Sequence, residues 1–301
     1  MSRRLDWAGR RWISAPILAV LATLVGCGPG GGGDRQGADG NPTESGVELV
    51  DASGTTLAFP RVPGRIVSLV PAATRTVLAL GAGDLLVGRT DYDTLRSVAH
   101  LPSVGGGLQP NLEALVALEP ALVIRFAGDS DRDTPPRLDD LGIPHFAVRL
   151  DGISDVRSMI LDLGLITGRG PAAAGLVFDI NTTLDEIRRR TQGRTPVRVA
   201  YVLGESPPWV AGPDSYIHEL ITLAGGENVF ADLEGSYGPV SPEQFLVRDI
   251  GLLLTPDPQR LDLPAANLPV GEVPTGLEIP GPELAQAAWG LAELLHPEAF
   301  Q

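Results

Sequence analysis

Residues 171–193, PAAAGLVFDINTTLDEIRRRTQG, predict one long helix in the middle of the chain, with two similar halves on either side of it. Pro171 suits the first turn of a helix, and Gly193 suits the left-handed residue that ends one. At about 1.5 Å per residue this helix would be roughly 33 Å long, the width of a small domain. Its apolar residues recur at helical spacing and predict one buried stripe: Leu176, Ile180, Leu184 and Ile187.

Two segments that flank this helix resemble each other. Residues 109–126 (QPNLEALVALEPALVIRF) and residues 240–256 (VSPEQFLVRDIGLLLTP) each predict a polar N-cap, a glutamate, an amphipathic helix, a short break and an apolar strand. We interpret them as an internal repeat with the long helix between its copies. Two lobes are accordingly expected, at residues 47–170 and 194–301.

Predicted strands and helices alternate in both halves, which is typical of an α/β fold with mostly parallel sheets and helices on both faces. Residues 47–59 predict a hairpin, and Ser154 is predicted to cap the helix that follows it. Residues 205–209 and 236–237 are predicted as loops at strand ends. No element is predicted in the proline-rich segment 256–282.

The composition limits the classes of partner that the chain can bind. With 301 residues, 43% hydrophobic and 20% charged, it can bury a full core and has room for two domains. Every basic residue is an arginine, and the formal net charge is −14. Such an acidic chain argues against nucleic acid as a partner, because phosphate binding requires the opposite sign. It favours solubility, and we expect a monomer.

The N-terminus predicts a lipid-anchored protein of the cell envelope. A charged segment precedes the apolar residues 13–25, and LVGC, ending at Cys27, resembles the lipobox of bacterial lipoproteins, whose cysteine is lipidated after cleavage. Residues 1–26 would then be a signal peptide and the glycine-rich residues 27–46 a flexible tether. Loss of this leader, with four arginines and one aspartate, would leave a net charge of about −17. The alternative is an ordinary leader followed by a lone cysteine, which in either case excludes an internal disulfide.

In parallel α/β folds, ligands bind beyond the carboxyl ends of the strands. Aromatic residues make up only 5% of the chain, yet four of them fall at predicted strand ends: Tyr92, Phe126, Trp209 and Tyr237. They predict an aromatic-lined cleft for a bulky, flat or apolar small molecule. Pro71 is predicted at the same strand ends, together with four arginines: Arg75, Arg89, Arg125 and Arg149. Because guanidinium pairs with carboxylate or phosphate, an anionic ligand is a second possibility.

Five segments together resemble the class III periplasmic binding proteins of ABC importers, and most of all the members that bind vitamin B12. They are RIVSLVPAATRTVLALGAGDLLVG (65–88), VGGGLQPNLEALVALEPALVI (104–124), ESPPWVAGPDSYIHELITLAGGENVFAD (205–232), VSPEQFL (240–246) and LAELLHPEAF (291–300). The resemblance implies two Rossmann-like lobes joined by one long helix. It also implies a permease partner and no resident cofactor, although a corrinoid, ferric siderophore or haem ligand would itself contain cobalt or iron.

The resemblance further implies residue roles. Glu113 and Glu243 match glutamates that dock onto the permease, although an acidic residue in a first helical turn also suits the helix dipole. Pro71 and the four aromatic residues match positions that face the corrin ring in the vitamin B12-binding members. Two departures from the pattern of the vitamin B12-binding members leave a ferric siderophore or haem as alternative ligands. Arg75 stands where the family often has a glutamate, and residues 105–107 (GGG) replace a tryptophan.

Other classes of function have less support in the sequence. The chain has no nucleophile elbow and no phosphate-binding loop with its lysine, so we do not expect an enzyme. The histidines are scattered without an i, i+4 pair, so no metal site is expected: His100, His145, His218 and His296. A lipoprotein that senses or scaffolds without transport stays an alternative.

Overall fold

The computed structural model describes residues 46–128, 131–205, 207–257, 263 and 268–301. The predicted signal peptide, Cys27 and nearly all of the predicted tether lie outside these ranges. None of the helices within them is both long and apolar enough to cross a membrane.

The first half of the described chain contains an antiparallel hairpin and a four-stranded parallel sheet. The hairpin joins β1 (Val47–Val50) to β2 (Thr56–Phe59), as predicted, through a turn in which Gly54 has a φ of +84°. The sheet order is β4-β3-β5-β6. Its strands are short apolar runs buried on both faces, as expected for a parallel sheet between helices: β3 (Ile66–Ser68), β4 (Leu86–Gly88), β5 (Leu122–Phe126) and β6 (His145–Val148).

Four helices connect and cover these strands: α1 (Pro71–Ala79), α2 (Leu112–Ala117), α3 (Thr134–Asp140) and α4 (Ile153–Ile166). The prediction that Ser154 caps α4 is wrong, because the helix already includes Ile153. The carboxylate of Asp155 accepts the N–H of Gly152 at 3.2 Å, and that of Glu219 accepts the N–H of Ile153 at 2.7 Å. Since Glu219 lies 66 residues further along the chain, a local pattern could not reveal this cap.

The long helix, α5 (Gly170–Thr191), is present with Pro171 in its first turn and with Gly193 at a φ of +76° after its end. The predicted stripe faces the core, with Ile180, Leu184 and Ile187 at most 1% exposed. The helix packs against α4 on one side and against the final helix, α8 (Leu284–Leu295), on the other.

The second half contains a six-stranded sheet in the order β10-β8-β7-β11-β12, with β9 also paired to β7. Its parallel members are β7 (Val197–Glu205), β9 (Gly226–Asn228), β11 (Leu252–Thr255) and β12 (Val270–Glu272). The segments predicted as loops instead contribute two antiparallel strands: β8 (Pro208–Ala211) and β10 (Tyr237–Pro239). The remaining helices are α6 (Tyr216–Leu223) and α7 (Gln244–Val247).

The largest cluster of buried apolar side chains includes residues of both sheets together with the stripe of α5. Two smaller clusters lie in the separate halves, around Val202 and Phe245 in the second and around Leu69 and Leu115 in the first. The predicted class is therefore confirmed: an α/β fold of two Rossmann-like lobes with mostly parallel sheets, joined by one long helix.

Candidate ligand-binding cleft

A cavity of about 650 Å³ lies at the carboxyl end of the first sheet. Phe126 is the last residue of β5, and Pro71 opens α1 directly after β3, so the two strand ends place both side chains at one edge of the sheet. The structure thus brings together three residues predicted from the sequence, Pro71, Tyr92 and Phe126. The rest of the lining consists of Leu69, Gly106, Gly107, Leu108 and Gln109.

Tyr92 is held in this wall by a tight turn. The carboxylate of Asp93 accepts hydrogen bonds from the backbone N–H and the hydroxyl of Thr90, both at 2.8 Å. The Tyr92 ring itself is 68% exposed, which is a high value for so large an aromatic side chain. An exposed ring on a fixed turn beside a cavity can stack against a flat ligand.

Two glycines of the segment 105–107, Gly106 and Gly107, form part of the cavity wall, a role that their sequence did not reveal. A side chain at Gly107 would place its Cβ 2.3 Å from the carbonyl oxygen of Leu69 and 3.3 Å from the Phe126 ring. Gly105 has a φ of +84°, a conformation that residues with side chains rarely adopt. Glycines at positions 105 and 107 therefore let this loop lie directly against the backbone that leads into α1.

The second lobe presents Trp209 and Tyr237 from paired strands. Pro239 lies opposite Trp209, and Ala211 lies opposite Tyr237. Because side chains alternate between the faces of a strand, Trp209 and Tyr237 share one face of this ribbon. Both rings are substantially exposed, Trp209 by 46% and Tyr237 by 40%.

The hydroxyl of Tyr237 belongs to a cluster of interacting polar groups. Although the Tyr237 side chain as a whole is partly exposed, its hydroxyl is mostly buried, and this burial, followed by the carboxylate of Asp151 in the first lobe, raises the pKa of Tyr237 to about 12. Burial also raises the pKa of Tyr201, with smaller effects from Glu278 and Tyr237. The Tyr201 hydroxyl is fully buried and has no hydrogen-bond partner in the part of the chain that the structure describes. Both tyrosines therefore stay protonated at neutral pH and can donate hydrogen bonds.

Tyr216 is the third tyrosine of this cluster. It is 2% exposed, and its hydroxyl likewise has no partner among the described ranges. Burial, followed by Tyr237 and Glu283, raises the pKa of Tyr216. Tyr216 opens α6 and Glu283 immediately precedes α8, so these two groups lie at the N-terminal ends of two helices of the second lobe.

Arg75 connects the two lobes. Its Nη1 donates to Oε1 of Glu283 at 3.0 Å, and the two side chains are 22% and 30% exposed. The arginine that departs from the family pattern is thus paired with a carboxylate from the opposite lobe.

Arg125 does not lie on the cleft surface, contrary to the prediction that it contacts ligand. It alternates with Phe126 along β5 and points the other way, where it is 4% exposed. Its Nε donates to Nδ1 of His145 at 3.0 Å, and its Nη1 lies 3.7 Å from the carboxylate of Asp131. His145 in turn donates from Nε2 to Asp139 at 3.1 Å. Arg125 is therefore part of an internal polar network.

Glu113 and Glu243 occupy equivalent positions in the two lobes. Residues 111–119 and 241–249 have the same succession of exposed, intermediate and buried positions, with Leu115 and Phe245 as the buried members. Both glutamates are exposed. The pKa of Glu243 is lowered by its own backbone N–H and then by the Ser241 hydroxyl, so its carboxylate is ionised at neutral pH.

Exposed apolar side chains lie beside both glutamates. Val116 is 42% exposed beside Glu113, whereas Leu246 and Val247 are 59% and 74% exposed beside Glu243. A shallow surface cavity of about 600 Å³ also adjoins Glu113. Each lobe therefore carries an exposed carboxylate next to exposed apolar side chains.

The described residues contain no group of three or more histidine, cysteine, aspartate or glutamate side chains that could hold a metal ion. The cavity of the first lobe is lined by two aromatic rings, Pro71 and a glycine loop. Such a site can enclose and orient a small molecule.

Two α/β lobes joined by a long helix, with an aromatic-lined cavity at the strand ends of the first lobe, are typical of proteins that bind small molecules. Residues 66–261 match the family described as periplasmic binding protein, and the chain belongs to that family. A cobalamin-binding protein of Halobacterium salinarum is 34% identical over 232 residues, which cover 72% of this chain and 61% of that protein. The match thus spans less than two thirds of that relative.

Two further similarities extend the comparison. An uncharacterised ABC transporter substrate-binding lipoprotein of Bacillus subtilis is 24% identical and is matched over 97% of this chain and 99% of its own length. The crystal structure of the periplasmic vitamin B12 binding protein BtuF of Vibrio cholerae has a TM-score of 0.67 at 26% identity. The structural match covers 79% of this chain and 98% of that protein.

Proposed function

We propose that this chain is the substrate-binding protein of an ABC importer and captures a cobalamin-like corrinoid between its two lobes. The observation that carries the proposal is the pairing of exposed rings: Tyr92 and Phe126 beside the 650 Å³ cavity of the first lobe, and Trp209 and Tyr237 on one face of the second. A corrin is broad and mostly apolar on its faces, and aromatic rings are suited to cover such a surface. Similarity to proteins named for cobalamin and vitamin B12 binding supports the same ligand.

Delivery to a permease is the second part of the proposal. Glu113 and Glu243 are exposed, occupy equivalent positions in the two lobes and lie next to exposed apolar side chains. Carboxylates can pair with arginines of a partner, and the apolar surround would exclude water from such pairs. In this function the protein binds and releases its ligand without chemical change.

We further propose that Cys27 carries a lipid that holds the protein on the outer side of the cytoplasmic membrane or in the periplasm. The lipobox-like LVGC and the similarity to the Bacillus lipoprotein along the whole chain support this anchor. Cys27→Ser should leave an unprocessed precursor, visible as a larger band by immunoblotting. Normal processing and membrane attachment of this variant would contradict the anchor.

The function is tested with the detergent-solubilised full chain and a panel of three ligands: cyanocobalamin, haemin and a ferric siderophore. After incubation and gel filtration, the visible absorption spectrum of the protein fraction reports which chromophore is retained. We expect the corrinoid spectrum at about one equivalent. Retention of haemin or the siderophore alone would replace the corrinoid by that ligand, and retention of none would refute the proposed function.

A further inference from the structure

We propose that the outer face of the α4–α5 helix pair contacts the lipid bilayer to which the chain is anchored. Four exposed apolar residues form this face, which we call the basal patch: Val62, Leu161, Leu165 and Phe178. The inference rests on the proposed lipid anchor at Cys27 and adds the face by which the anchored protein meets the lipid.

The residues of the basal patch are large apolar side chains left in water. Phe178 is 70% exposed, more than any other aromatic side chain in the described part of the chain, and the other three are 40–43% exposed. Leu161 and Leu165 are four residues apart on α4, so they share one face of that helix.

The packing of α4 against α5 brings these residues to one surface. Two contacts fix how the helices align: Nη1 of Arg157 donates to Oδ1 of Asn181 at 2.9 Å, and a Cβ at Gly164 would lie 2.3 Å from the Cβ of Ala173. The helices are therefore antiparallel, with Leu161 at the level of Phe178. Exposed apolar side chains that lie together mark surfaces for a protein or membrane partner.

Val62 extends this surface at the end of α4. A Cβ at Gly168, two residues after the helix ends, would lie 3.1 Å from a methyl carbon of Val62. Since Val62 precedes β3 by four residues, α4 ends at the amino edge of the first sheet, whereas the cavity lies at the carboxyl edge. With the basal patch on lipid, the cavity would face away from the membrane and stay open to ligand.

The occupant is inferred first from where the described chain begins. A Cβ at Gly46 would lie 3.0 Å from the Cα of Pro60, which is two residues before Val62. Cys27 precedes Gly46 by 19 residues. At 3.3–3.6 Å per residue these span at most about 70 Å. A lipid on Cys27 would hold the patch near the bilayer at a high effective concentration, so that weak apolar contacts suffice.

The charges beside the patch support the same occupant. The charged neighbours in sequence of the patch and of Gly168 are two arginines and two aspartates: Arg61, Arg169, Asp162 and Asp179. Their formal charges cancel, in a chain whose formal net charge is −14. An anionic bilayer therefore repels this face less than it repels the chain as a whole.

The test measures contact with lipid in nanodiscs that each hold one copy of the full lipid-anchored chain. Phe178→Trp is compared in discs of phosphatidylcholine and phosphatidylglycerol with and without bromine on the acyl chains, because bromine quenches nearby indole fluorescence. A ring that lies about 5–10 Å below the head groups should lose about half of its emission in the brominated discs. Wild-type spectra are subtracted to remove the native tryptophans.

Leu246→Trp is the matched control, because it places the same fluorophore at an exposed position of α7, outside the patch. It should not be quenched. Adding Leu165→Glu to Phe178→Trp should restore the emission. Adding Val116→Glu should not, although Leu165 and Val116 are equally exposed, at 43% and 42%. Circular dichroism checks that each variant is folded.

The outcomes separate this inference from the proposed function. Retention in the discs without quenching of Phe178→Trp, or with equal quenching of Leu246→Trp, would overturn the inference and leave the anchor standing. Elution of the chain without its disc would refute the anchor and the inference together. Dimeric elution in detergent with blue-shifted emission of Phe178→Trp would assign the patch to a second copy and overturn the lipid contact. Cyanocobalamin binding, measured on the same samples, tests the ligand independently.

Discussion

Asp162 is a single residue whose partly buried carboxylate lowers the stability of the folded protein at neutral pH. It lies on α4 and lines a cavity of about 380 Å³ beside the N-terminal hairpin. Burial raises its pKa from 3.8 to about 6, with no compensating charge among the causes. The unfolded chain therefore ionises Asp162 at a lower pH than the folded protein does.

We predict that Asp162→Asn stabilises the protein at neutral pH and has little effect at pH 4. A raised folded-state pKa means that the wild type loses stability as the pH rises from about 4 to about 6, while the asparagine variant does not. After allowance for solvent near the carboxylate, we expect a gain of about 1–2 kcal/mol at pH 7.5. Urea unfolding at both pH values measures this gain in the free energy of unfolding. The control is Asp179→Asn, at an exposed position of α5. An equal gain at both pH values would contradict the prediction.

Among the structural elements, the glycine loop 105–107 shapes the wall of the first-lobe cavity, because it lies against Leu69 and Phe126. We predict that Gly107→Ala weakens ligand binding and lowers the free energy of unfolding by about 1–3 kcal/mol, because its Cβ would lie 2.3 Å from the Leu69 carbonyl. Gly106→Ala is the matched control, since its Cβ would have no neighbour closer than 3.9 Å. We expect that variant within about 0.5 kcal/mol of the wild type by chemical denaturation. Equal effects of the two substitutions would refute the close approach.

Elements that follow from local patterns were predictable, and those that depend on distant partners were not. The stripe of α5, the hairpin and the buried strands follow from periodicity alone. In contrast, β8 pairs with β10 across more than twenty intervening residues, and each is only three or four residues long. The cap of α4 by Glu219 depends in the same way on the other lobe.

In the candidate site, too, positions set by the local sequence were predictable, whereas those set by tertiary contacts were not. Strand ends can be located from sequence, so the positions of Pro71, Tyr92 and Phe126 could be predicted together. The direction of Arg125 could not, because an arginine at a strand end can point to either face. The choice is made by the buried His145 and Asp131, whose positions come from tertiary packing.

At the scale of the whole molecule, the two lobes repeat one exposed surface. We predict that Glu113→Arg combined with Glu243→Arg abolishes ligand uptake by cells while the calorimetric affinity for ligand stays within error. Both glutamates lie outside the lining of the cleft cavity, so reversal of their charge should disturb only the permease contact. Glu293→Arg, at an exposed position of α8, is the control for net charge. A large loss of affinity in the double variant would refute the docking role.

Calorimetric titration with cyanocobalamin measures whether aromatic rings from both lobes hold a corrinoid. Full-length wild type should bind one equivalent. Phe126→Ala and Trp209→Ala should each weaken binding about tenfold or somewhat more, because each removes an aromatic contact and its buried area. Phe178→Ala, which removes a 70% exposed ring on α5, should have no effect. Absence of cyanocobalamin binding at about 100 μM, or a loss confined to the ring of one lobe, would contradict the account.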